Sequence, residues 1–104
     1  MEPIRLALIG AGRRMRSVYF GLLPRLRSQF KIVAVCDPAE QAVREAADIM
    51  NAAAFRSLRE LVRARPMEAA LIVTPADSHH ALSAFLSRHG IHHMCETPLA
   101  PRLW

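Results

Sequence analysis

The stretch Gly10-Ala11-Gly12-Arg13-Arg14-Met15 follows an apolar run, Ile4–Ile9, that stops abruptly. In a G-x-G-x-x-G/A turn the first glycine permits a tight reversal. The second lets backbone N–H groups approach an anion, such as a pyrophosphate, at a helix N-terminus. Met15 stands where that pattern wants a small residue, which loosens the approach of helix to strand. The plain alternative is a turn that uses glycine for geometry alone. A strand before the turn and a helix after it favour dinucleotide binding.

Asp37 closes a second apolar run, Lys31–Cys36, where a carboxylate can accept the hydroxyls of an adenosine ribose. Its competing role is a helix cap around Pro38, and one carboxylate serves both tasks poorly. A carboxylate there opposes a 2′-phosphate, so NAD is favoured over NADP. The guanidinium groups of Arg13 and Arg14 suit phosphate and keep NADP open. Cations at a helix start also oppose the helix dipole, a misfit that an anionic ligand relieves.

His79, His80, His89, His92, His93 and Cys95 raise the question of a metal. His92 and His93 are neighbours on a strand and point to opposite faces, and no pair of ligands is followed by a matching pair. No metal site is expected, and no Ser/His/Asp or Cys/His nucleophile arrangement follows from the order of residues. No catalytic residue is assigned.

These residues sit on alternating elements. The run Ile4–Ile9 reads as a buried strand. Met15, Val18, Tyr19, Leu22, Leu23 and Leu26 then recur at helical spacing, with Pro24 expected to kink or split the helix. Lys31–Cys36 is the second strand. Pro38 suits the first helical position before Ala42, Val43, Ala46, Ala47 and Met50. A short strand follows at Ala53–Phe55, then a helix at Leu58–Ala64 opened by the Ser57/Glu60 capping box. Ala69–Thr74 is a buried strand. Asp77 or Ser78 is expected to cap the next helix, Gly90 stops it, and Ile91–Cys95 is the fifth strand. Strands apolar on both faces, alternating with helices, predict a doubly wound parallel α/β sheet.

The chain has 104 residues, 52% apolar and 22% charged, a globular balance within the size of one domain over residues 1–104. Its apolar runs are too short for a membrane span or a signal peptide. Cys36 and Cys95 lie inside such runs and make no disulfide framework, so a reduced, cytoplasmic chain is expected. The net charge of +5 comes from basic residues that are all arginine but Lys31. They are scattered and not interleaved with aromatics, which argues against nucleic acid.

Several ordered motifs extend the pattern. They are Leu71-Ile72-Val73-Thr74-Pro75, then His79, then Gly90-Ile91-His92-His93-Met94-Cys95-Glu96-Thr97-Pro98-Leu99-Ala100. With the glycine turn and Asp37, the stretch from Ile4 to Ala100 resembles the N-terminal domain of the Gfo/Idh/MocA oxidoreductases. There the order is G-x-G-x-x-G, an acidic residue after strand two, T-P-x-x-x-H, and G-K-H-V-x-x-E-K-P-L-A. The resemblance implies a Rossmann-type NAD(P) domain. Gly10, Ala11, Gly12, Arg13, Arg14 and Met15 form the phosphate turn in it, with Asp37 at the adenosine ribose. Thr74, Pro75 and His79 border the nicotinamide half, and Glu96, followed by Thr97, its ribose.

Thr97 stands where that family carries lysine, and it brings no ammonium to a reacting alkoxide. The resemblance also implies a substrate domain beyond these residues, so a truncated or stand-alone cofactor domain is expected. The expectation is therefore the cofactor half of a sugar or polyol oxidoreductase, inactive alone. A non-catalytic nucleotide-binding or interaction module is the alternative. Strand five, left as an edge, and apolar Met94, Leu99, Leu103 and Trp104 imply a homo-oligomer.

Overall fold

The computed structural model describes residues 2–96. Five parallel strands, β1 (Ile4–Ile9), β2 (Phe30–Cys36), β3 (Ala53–Phe55), β4 (Ala69–Ile72) and β5 (His92–Cys95), pair in the order β3-β2-β1-β4-β5. Parallel neighbours need crossovers, and helices supply them. The short helix α1 (Phe20–Leu22) lies within the passage from β1 to β2, and α2 (Glu40–Met50) joins β2 to β3. The helix α3 (Leu58–Ala64) leads from β3 to β4, and α4 (Ala76–Arg88) from β4 to β5. The doubly wound α/β architecture is as the sequence predicts.

Alternation along β1 creates two cores. Leu6 and Leu8 face Met15, Val35, Val43 and Leu71 on one side of the sheet. Ala7 and Ile9 face Leu61, Ile72, Leu86 and Ile91 on the other. The buried part of β1 begins at Leu6, because Ile4 and Arg5 are exposed. Helix α2 therefore covers one face, and α3 and α4 cover the other.

Local departures from the sequence reading have physical causes. The stripe from Met15 to Leu26 is not one helix. A π-helical turn spans Met15–Tyr19, with the Phe20 N–H donating to the Met15 carbonyl, and a 3-10 turn spans Leu23–Leu26 with Pro24 in its first turn. Met15 itself is fully buried. The widened turn falls where a bulky residue replaces the small one that close packing wants.

Pro38 is not the first helical residue, since α2 starts at Glu40 behind Ala39. The Asp37 carboxylate accepts the Ala39 N–H at 2.9 Å and turns the chain first. Neither Asp77 nor Ser78 caps α4, which starts at Ala76 behind Pro75. The Ser78 hydroxyl donates back to the Pro75 carbonyl instead, at 2.7 Å. Ser57 does cap α3, accepting the Glu60 N–H at 3.1 Å. The fourth strand ends at Ile72, so Val73 and Thr74 belong to the turn beyond it, and the fifth begins at His92.

Candidate cofactor site

Strand β1 lies between β2 and β4, and the helices that follow on its two sides cover opposite faces. A crevice must open where the connections diverge, beyond the carboxyl ends of β1 and β4. Two adjoining cavities occupy that place, of about 490 and 460 Å3, and share Gly10, Asp37, Thr74 and Pro75. Gly12, Arg13 and Arg14 line one end. Cys36, Pro38, Arg56, Leu58 and Leu82 line the other.

Gly10 has a backbone that no other residue fits. Its φ is +108°, and a Cβ would stand 2.0 Å from the Val73 carbonyl oxygen. Its N–H donates to the Cys36 carbonyl at 2.8 Å, tying the β1 turn to the end of β2. Gly12 is different: a Cβ there would meet no atom within 4 Å. The space above Gly12 is open, at a helix start whose first N–H groups have no partner within the helix. A pyrophosphate fits such a cradle.

The three arginines of the turn divide their work. Arg16 reaches Glu45 at 3.0 Å and the Ala11 carbonyl at 3.3 Å. Arg14 pairs with Glu96, just beyond β5. These carboxylates supply the compensation that cations at a helix start require. Arg13 has no ion-pair or hydrogen-bond partner among the described residues and is exposed at the cavity rim. The Tyr19 hydroxyl sits beside Glu96; burial first, and that carboxylate second, raise its pKa.

Asp37 serves two turns at once. One carboxylate oxygen accepts the Ala11 N–H at 2.8 Å and the other the Ala39 N–H at 2.9 Å. A carboxylate has about four lone-pair sites, so acceptor capacity remains on the cavity side. Next to it, the Cys36 thiol is pushed up to about 11 by burial first, then by the charges of Asp37 and Glu60. It is no thiolate nucleophile near neutral pH.

Thr74 and Pro75 border both cavities, but His79 does not. It is 2% exposed, and its Nε2 lies 2.6 Å from the Thr74 carbonyl oxygen. A carbonyl can only accept, so Nε2 carries the proton and the ring holds the turn from within. Through this bond the ring supports Thr74, which borders the crevice. Met15 is likewise behind the turn, in the core. Thr97, Leu99, Leu103 and Trp104 lie outside the described residues. No group of three or more metal-ligating side chains forms among the described residues.

Arg56, Leu58, Ser78 and Leu82 line the crevice and were not expected from the sequence. The strand order carries a signal for Arg56: the residue just after β3 must lie beside the turn after β2.

The family model for the Gfo/Idh/MocA oxidoreductases, described as an NAD-binding Rossmann fold, matches residues 4–103. The chain belongs to this family. An inositol 2-dehydrogenase of Saccharopolyspora erythraea is 33% identical over 101 residues, which are 96% of this chain and 30% of that protein. A WlbA dehydrogenase of Chromobacterium violaceum, solved with NADH and UDP-GlcNAcA, superposes with a TM-score of 0.90 at 29% identity. The match covers 98% of this chain and 29% of that one. An oxidoreductase of Thermotoga maritima gives 0.90 at 28% identity, over 94% and 31%. The chain thus spans about 30% of the length of these Gfo/Idh/MocA relatives and corresponds to their NAD-binding Rossmann part.

Proposed function

We propose that the chain holds NAD for hydride transfer to or from the carbinol carbon of a sugar or polyol, with the substrate bound by residues outside this domain. The open cradle at Gly12, beside Asp37 at the switch point of the sheet, carries this reading. Gly12 and Arg13 would hold the pyrophosphate, on a turn shaped by Gly10 and Ala11, and Asp37 the adenosine ribose. Thr74 and Pro75, set by His79, would border the nicotinamide half, and Glu96, held by Arg14, its ribose. The bound nicotinamide supplies the hydride chemistry; the residues bind, orient and screen it. Thr97 in place of lysine favours a second reading, a non-catalytic nucleotide-binding module.

NAD is favoured over NADP because Asp37, a carboxylate residue, lines both cavities and opposes a 2′-phosphate. Fluorescence titration should show NADH binding about tenfold more tightly than NADPH, and Asp37→Ala should erase that preference. Tighter binding of NADPH by the unaltered chain would refute the assignment of Asp37.

A homo-oligomer is part of the same proposal. Strand β5 is outermost, Met94 is 59% exposed, and Met94 lines an apolar groove with Leu22, Leu26 and Phe30. No helix among the described residues is long and apolar enough to cross a membrane. A cytoplasmic setting is proposed from the two free thiols.

A further inference from the structure

Arg56 follows β3 and, among the described residues, is the only cation lining the larger cavity. Its position invites the idea that it reads a 2′-phosphate. The contacts it makes point elsewhere. Nε and Nη2 both donate to the Pro38 carbonyl, at 3.4 and 3.3 Å, and Nη1 stands 4.0 Å from a Glu40 carboxylate oxygen. Two of its five N–H donors are therefore engaged along the turn after β2, which fixes one edge of the group, and Glu40 partly offsets its charge. The faces of the planar group carry no donors. Beside it the walls are apolar, with Leu58 and Leu82, and the Asp37 carboxylate that lines the same cavity would repel a phosphate.

We propose that Arg56 is a specificity-determining residue that stacks its guanidinium face on the adenine ring, closing a slot whose other walls are Leu58 and Leu82. A planar, weakly hydrated cation fixed at its edge suits a flat aromatic base, and an ammonium does not. This rests on the dinucleotide reading and adds to it. Arg56 would recognise the base of any adenine nucleotide and take no part in discriminating NADPH from NADH.

The test is titration of the full chain with NADH, NADPH and 5′-AMP, repeated for Arg56→Ala and Arg56→Lys. Both substitutions should weaken all three ligands by about fivefold, with the NADH/NADPH ratio unchanged. Arg56 is exposed, so thermal unfolding of both variants should match the parent and exclude a folding defect. A lysine variant that binds like the parent, or an alanine variant that loses only NADPH, would overturn the stacking role. Unchanged binding in both variants would overturn it as well. If the parent chain binds none of the three ligands, the dinucleotide reading itself fails, and this proposal with it.

Discussion

Cys36 shows how a single residue at the crevice reports on its setting. It is buried, and its thiol is raised from an ordinary 9.0 to about 11, first by burial and then by the nearby carboxylates. The folded chain keeps its proton where the unfolded chain has begun to lose it. Stability from this group is therefore complete below about pH 9 and falls between pH 9 and 11. Thermal melts should show that decline, and Cys36→Ala should shallow it. A slope identical in both proteins would place the thiol in contact with water. Asp37 is legible in the sequence as a carboxylate that closes an apolar run. Its two backbone bonds are not, because one goes to Ala11, which lies 26 positions away. His79 was legible as a functional histidine, yet a bond to a carbonyl five residues earlier turns it inward. Side-chain direction at a turn is decided by backbone acceptors that a pattern of residue types does not display.

At the scale of elements, the passage after β1 carries the clearest contrast. Spacing alone gives a helix from Met15 to Leu26. The chain instead makes a π turn, a short α-helix and a 3-10 turn. Pro24 was visible as a breaker, whereas the π turn depends on how Met15 packs beneath the sheet, a three-dimensional condition. Met15 is 0% exposed, among Leu8, Leu23 and Val35. Met15→Ala should cost about 2–5 kcal/mol in urea unfolding through the cavity it leaves. Met15→Gly, which restores the family's third glycine, should cost about 1 kcal/mol more. A neutral or stabilising glycine would show that the widened turn is strained rather than filled. The five strands and their parallel pairing were legible because β1, β2 and β4 are apolar on both faces. The starts of α2 and α4 were not, since side chains of Asp37 and Ser78 bond the preceding turns and shift where each helix begins.

At the scale of the molecule, the outer position of β5 and the groove beside Met94 concern assembly, and the switch-point crevice concerns function. Light scattering after size exclusion should give about twice the 11.6 kDa chain mass at roughly tens of micromolar. Met94→Lys should shift it to monomer, and a monomeric parent would refute pairing through this strand. The cofactor site can be tested without disturbing the fold, because Gly12 faces open space where Gly10 does not. The most direct measurement is a fluorescence titration with NADH of the parent chain and of Gly12→Val, with circular dichroism to verify equal folding. The parent should bind with a dissociation constant below about 1 mM, and Gly12→Val should lose at least about tenfold in affinity while its spectrum and melting temperature stay unchanged. Equal affinity in the two proteins would contradict a pyrophosphate site at the glycine turn.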